Sequence, residues 1–244
     1  LFRWFLDFAV GSVSGPHLRI VDAVRIVLFF LGYALLTAGL DRACAEASFE
    51  AGKRLEALGN YDQAIQYYRN AMEGRFQNPT KRIMCGLSIG DLFARQRRYA
   101  EAIAAYEELP AEAFATAGAY AGYVTALWHS GEYAKAKRLG KEWLAKAQAE
   151  ENAEQTLWAN NALMHATVAL GRPADALAYG EAVVAMDPAS DARLVVARIL
   201  AEQGQTGEAL AHIDAFLDAT TNPKVAQEAR MLRAGIAGRP TEAE

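Results

Sequence analysis

Gly59-Asn60-Tyr61-Asp62-Gln63-Ala64-Ile65-Gln66-Tyr67-Tyr68-Arg69-Asn70-Ala71 decides the fold, because it is the first of five copies of one signature. The others start from Arg97, Gly131, Gly171 and Gly204, at spacings of 38, 34, 40 and 33 residues. A period near 34, with glycine, aromatic, alanine and bulky apolar residues at fixed offsets, marks stacked helical hairpins rather than a catalytic globule.

The offsets have a physical reading. Glycine at the turn lets the chain reverse sharply between antiparallel helices. Ala64, Ala102, Ala136, Ala176 and Ala209 each lie five residues beyond the turn residue, where a small side chain lets two helices approach. Tyr68, Tyr106, Trp143, Ile213 and Phe216 then fill the gap, while Gly52 with Leu55 and Gly90 with Phe93 form small–large pairs on the preceding helices. Copies differ in quality. The second has Arg97 in place of the turn glycine, the third and fourth carry Gly140 and Gly180 where bulk is expected, and the fourth has Pro173 for the aromatic.

This pattern resembles the tetratricopeptide repeat, over about four fifths of the chain. The resemblance implies an all-α fold: a right-handed superhelical solenoid of about five hairpins, closed by a capping helix and preceded by a hydrophobic N-terminal helix. The expected pairing is Ala51–Leu58 with Tyr61–Glu73, and so on to Phe216, with a last helix near Lys224–Ala237. Its stripe would be Val225, Ala229, Leu232 and Ile236, with Lys224, Glu228 and Arg230 outside it. Domain bounds follow as 1–45 for the N-terminal segment, 46–238 for the solenoid and 239–244 for a tail.

Composition agrees. Hydrophobic residues make up 52% of the chain, net charge is −4 and the pI is about 5.7, with acids and bases interspersed. No basic stripe marks a nucleic-acid partner; Arg95, Arg97 and Arg98 read as a solvated turn. The four histidines, His17, His129, His165 and His212, make no metal-binding pair on one helix face, and no phosphate loop or nucleophile elbow is present. The expectation is a chain that is not an enzyme, with no cofactor, no catalytic residue and no metal ligand. Cys44 and Cys85 are too few for a disulfide framework.

The N-terminal segment is different in kind. Ile26 to Leu40 is fifteen residues without a charge, preceded by Arg25 and followed by Asp41-Arg42 and Ala43-Cys44-Ala45. Three readings fit: a retained anchor crossing the membrane with residues 21–40, a signal cleaved after Ala45, or a buried helix packed on the first repeat. The chain opens on Leu1 rather than Met and reads as a fragment or as a start placed too far upstream. Arg3, Arg19 and Arg25 precede the apolar run, so the positive-inside tendency places the repeats on the extracytoplasmic, periplasmic side; the buried-helix reading leaves them in the cytoplasm.

In the family that this chain resembles, the first helix of each hairpin lines a concave groove that takes peptides or partner helices. The resemblance thus puts Phe49, Lys53 and Glu56 on the inner surface, then Met84, Leu87, Asp91 and Arg95. Ala121, Thr125, Trp128 and His129 follow, with Trp158, Asn161 and His165, and then Leu194, Arg198 and Glu202. Trp128, His129, Trp158, Asn161 and His165 would converge at the middle, aromatics beside polar groups, as in binding hot spots. The plainer reading of both tryptophans is packing between repeats. A carboxylate clamp is not expected: the relevant places hold Phe49, Lys53, Leu87 and Asp91, and a lone lysine beside an acid does not hold an anion. The function that follows is an exported or membrane-anchored interaction scaffold in a cell-envelope, secretion or biogenesis assembly. The alternatives are a structural subunit of a membrane complex, and a small-ligand or metal-binding protein using His129 and His165. Oligomeric state has no signature in the sequence.

Overall fold

The computed structural model describes residues 20–238 apart from 75 and 77, with side chains from Val27 onward. The tail at 239–244, Arg3, Arg19 and the side chain of Arg25 lie outside the described residues. Eleven α-helices follow one another, with no strand among the described residues: α1 (Ile20–Ala57), α2 (Tyr61–Glu73), α3 (Thr80–Arg95), α4 (Tyr99–Glu107), α5 (Ala121–His129), α6 (Tyr133–Ala149), α7 (Ala153–Ala169), α8 (Pro173–Met186), α9 (Ala192–Glu202), α10 (Thr206–Ala219) and α11 (Pro223–Ala237). Two short 3-10 segments, Ala111–Phe114 and Ala117–Ala119, lead into α5. The chain divides into two compact units, one up to Ile89 and one from Gly90.

In the first unit α1 and α2 form the expected hairpin. Ala45, Phe49 and Gly52 lie at i, i+4 and i+7 on α1 and are buried, and Ala64, Ile65, Tyr68 and Ala71 form the matching face of α2. A Cβ at Gly52 would stand 2.8 Å from the Tyr68 ring, so only glycine admits the tyrosine flat against the helix. The Tyr68 hydroxyl donates to Glu56 Oε2 at 2.8 Å, and burial together with that carboxylate raises its pKa.

α1 passes residue 45 without interruption. The boundary drawn between 45 and 46 marks a change of surface, from exposed to packed, within one helix. Upstream of it Val27, Leu28, Phe30, Leu31, Tyr33, Leu35, Leu36 and Leu40 are all exposed, Leu35 at 67%. The expectation of a buried helix packed on the first repeat is therefore corrected: packing against α2 starts at Ala45, and the apolar run touches none of that core.

In the second unit each helix packs on the next from α4 to α11. The five alanines read as close-contact sites are all buried, as are Tyr106, Trp143, Ile213 and Phe216. All five turn residues have the left-handed conformation, including Arg97 at φ 60°, beside Gly59, Gly131, Gly171 and Gly204 at 70–81°. The hydrogen-bonded turn therefore survives without glycine, at a steric cost of roughly 1–2 kcal/mol for an L-residue. Starts of α7 and α11 are capped by Asn152 and Asn222, whose side chains accept from backbone N–H groups of the first turn. α11 closes the stack with Ala229 and Ile236 buried, Val225 and Leu232 packed beside them, and Lys224, Glu228 and Arg230 outside.

Candidate functional site

Two helices position the site. On α5, Ala121, Thr125 and Trp128 follow at i, i+4 and i+7; on α7, Trp158, Asn161, Ala162 and His165 follow at i, i+3, i+4 and i+7. These are the first helices of adjacent hairpins, and they touch. Between them lies a pocket of about 390 Å³, whose lining includes Thr125, Trp128, Trp158, Asn161 and His165. That size is within the range of sites that bury a small ligand or a large side chain. No charged residue lines it.

Trp158 is 44% exposed and offers its ring to an occupant. Trp128 is half-buried, with edge-to-face contacts to His165 at 6.2 Å, Tyr133 at 6.4 Å and His129 at 4.9 Å between ring centroids. Trp143, from α6, also lines the pocket and is itself buried; its indole N–H donates to Gln155 Oε1 at 3.0 Å. Sequence reasoning gave Trp143 only the packing role, because it lies on the second helix of its hairpin, and it performs both. Two polar atoms on lining side chains, Trp128 Nε1 and Asn161 Oδ1, are buried without a hydrogen-bond partner. Each such group is destabilising by roughly 1–3 kcal/mol, and a ligand or a small side-chain movement that satisfied them would recover part of it. Burial lowers the pKa of His165, against a weaker opposing pull from Asp191, so its imidazole is neutral at pH 7.

The remaining expected residues lie elsewhere. His129 does not line the pocket; its ring stacks flat on Tyr99 at 4.5 Å, with Trp128 between it and His165 in the chain of ring contacts. Phe49, expected on an inner surface, is only 4% exposed and packs between Tyr68 and Phe76 in the first unit's core. Lys53 is exposed and pairs with Glu50 at 3.5 Å, and Leu87 is half-buried in the same unit. Asp91 accepts the hydroxyl hydrogen of Tyr106. Arg198 is exposed on α9 and does not line the pocket. Among the described residues no three His, Cys, Asp or Glu side chains gather as metal ligands would.

Family models for the tetratricopeptide repeat match residues 53–82 and 162–224. No curated protein matches the sequence significantly. Among solved structures, YrrB, described as a tetratricopeptide-repeat protein with an unusual peptide-binding site, superposes with a TM-score of 0.60 at 17% identity, over 75% of this chain and 90% of its own. PilF of Pseudomonas aeruginosa gives 0.58 at 17%, over 80% and 90%. MamA gives 0.62 at 17%, over 72% and 91%. At such identities the likeness is one of fold. The two matched stretches are tetratricopeptide-repeat sequence, and the five left-handed turns recur at the repeat's turn position, so the chain shares the fold of these repeat proteins.

Proposed function

We propose that this protein is a non-catalytic interaction scaffold, held at a membrane by its N-terminal helix and presenting the pocket between α5 and α7 to a peptide or partner subunit. One observation carries the reading: three tryptophans meet around an open, uncharged pocket of about 390 Å³. Rigid aromatics that leave water with little loss of freedom supply most of the energy at protein interfaces. The absence of charge from the lining favours a bulky uncharged side chain as the group that enters. YrrB, of the same fold, is described by its peptide-binding site, which is consistent with a peptide here.

Membrane attachment rests on the exposed apolar face of α1. A retained anchor fits better than cleavage after Ala45, because Ala45 is buried in mid-helix against Gly74 and cleavage would remove that contact. With Arg25 on the upstream side, the repeats belong to the extracytoplasmic face, in an envelope, secretion or biogenesis assembly. The same exposed face would equally suit partner helices, which keeps a structural subunit of a membrane complex as the second reading.

The test is a photo-reactive amino acid in place of Thr125, in the full chain in its native membrane, with Glu181 as the outer control site. Support is a discrete adduct at position 125 that is absent at 181 and lost on Trp158→Ala. Adducts shared by both positions, or untouched by Trp158→Ala, would remove the pocket from the interaction.

A further inference from the structure

The membrane reading just given has a geometric consequence, on which the following rests. A helix rises 1.5 Å per residue, and the hydrocarbon core of a bilayer is about 30 Å thick, with polar layers of about 5–8 Å on each side. Residues 21–40 account for the core, and Asp41 marks its outer edge. Ala45, the first residue of α1 packed on its own hairpin, therefore stands only about 7 Å beyond Leu40.

The chain returns to that level. After α2, Gly74 sits so close to α1 that a Cβ there would be 2.7 Å from Ala45 Cβ and 3.2 Å from the Asp41 carbonyl. Lys81, at the start of α3, pairs with Glu46 and lies over the Phe49 ring at 5.4 Å. The α2 C-terminus and the α3 N-terminus are thus beside residues 41–46. The opposite turn, Leu58 to Asn60, lies about 25 Å further along the α1 axis. No flexible linker separates the span from the hairpin, since α1 is one helix from Ile20 to Ala57.

We infer that the base of the first unit, Asp41 to Glu46 with Glu73, Gly74 and Lys81, is a lipid-contacting surface seated in the headgroup layer, so that α1 and α2 stand along the membrane normal. The surface carries no net charge: Asp41, Glu46 and Glu73 balance Arg42, Lys81 and Arg82, with Lys81 paired to Glu46 and the Arg82 guanidinium donating to the Met72 carbonyl. Zwitterionic headgroups therefore suffice, and the contact is set by the rigid helix rather than by attraction to anionic lipid.

The experiment places a fluorescent thiol label at Glu73→Cys or at Leu58→Cys in the full chain carrying Cys44→Ser. Cys85 is buried, with its thiol pushed up to about 12 by burial, and stays unlabelled. Proteins are reconstituted in phosphatidylcholine vesicles containing a headgroup-linked nitroxide, and each sample is also floated on a density gradient. The expected result is flotation of both, loss of most emission at position 73, no loss at 58, and no change in either with added salt. Insertion of Gly-Gly-Ser between Ala43 and Cys44 should abolish the difference while flotation persists. Flotation with equal quenching at both positions, or with none at 73, overturns this inference and leaves the anchor intact. Failure to float overturns the anchor and the seated base together. A seat on a partner protein instead of lipid would show as quenching absent in vesicles, and so also as a refutation.

Discussion

Gly52 and Tyr68, sixteen residues apart, meet within the first hairpin, and Gly90 and Tyr106 repeat the arrangement in the second. In the third and fourth hairpins the same two places hold Val124 with Gly140 and Met164 with Gly180: the large residue has moved to the first helix and the glycine to the second. The fifth has Ala197 with Ile213. Close approach needs one small partner, and either helix can supply it. The exchange alters what fills the space. A tyrosine on the second helix needs a polar partner, and finds Glu56 or Asp91 on the first. A glycine there is covered from the next hairpin as well. Leu163 lies over Gly140, and Val196 over Gly180 beside Met164. Tyr106 also meets the next hairpin, stacking on Tyr123 at 5.1 Å, so neighbours complete both kinds. What differs is the source of the bulk: the second helix supplies it in the tyrosine hairpins, and the first helix with the neighbour supplies it in the glycine hairpins, where the pocket is built.

The largest expected break in this comparison is Tyr106→Ala. It empties a fully buried site, at a loss of roughly 3–5 kcal/mol, and removes the Tyr106 hydroxyl bond to Asp91. Chemical denaturation of Tyr106→Ala against Tyr106→Phe separates cavity from hydrogen bond; equal losses would deny the aromatic its packing role. Gly122→Ala comes next, because its Cβ would overlap both Asp91 Oδ1 and the Tyr106 hydroxyl. The expected loss is about 1–3 kcal/mol, like that of Ala64→Leu or Ala136→Leu at the alanine contacts. By contrast Gly140→Ala meets Leu163 Cδ2 at 3.0 Å and Cγ at 3.2 Å, a looser contact than Gly90 has with the Tyr106 ring at 2.6 Å, and about 1 kcal/mol is expected. A melt showing Gly140→Ala as damaging as Gly90→Ala would erase the distinction between the two hairpin types.

A smaller effect of opposite sign tests the turns. Arg97→Gly should stabilise by about 0.5–1 kcal/mol, since it removes a left-handed L-residue. Gly131→Ala should destabilise by about 1 kcal/mol at the equivalent position. The same sign for both would mean that the turns are not equivalent.

The smallest expected effect is with pH. His165 is held neutral by burial, so its folded pKa lies below the ordinary value near 6.5. Its stabilising contribution is fully present above about 6.5 and is lost as pH falls from there through the folded pKa, because the unfolded chain takes up the proton first. His212, also depressed by burial, acts in the same direction. Denaturation midpoints measured between pH 7.5 and 5.5 should fall less in His165→Gln than in the parent; an unchanged slope would place His165 in solvent.

Much of this was legible in the sequence for local reasons. The α1–α2 turn at Gly59, the α2 limits at Tyr61–Glu73 and the closing α11 follow from turn residues and 3.6-residue periodicity, which act within a few residues of themselves. Thr125, Trp128, Trp158, Asn161 and His165 could be placed on facing helices because the repeat fixes their register. Phe49 and His129 could not be placed this way. One fills its own hairpin's core and the other stacks on Tyr99, and each outcome depends on which neighbour offers a ring.

The sequence by itself determined that the chain is helical, that it is built from five turn-and-alanine hairpins, and that one uncharged run precedes them, since each is a property of short stretches. Only the tertiary structure decided that Arg97 holds the left-handed turn, that Gly140 and Gly180 are covered from the following hairpin, and that Trp143 lines the pocket. It also decided that the apolar run and the first repeat are one helix. Those outcomes turn on excluded volume between residues far apart in the chain, where a difference of a few tenths of an ångström selects which side chain fits.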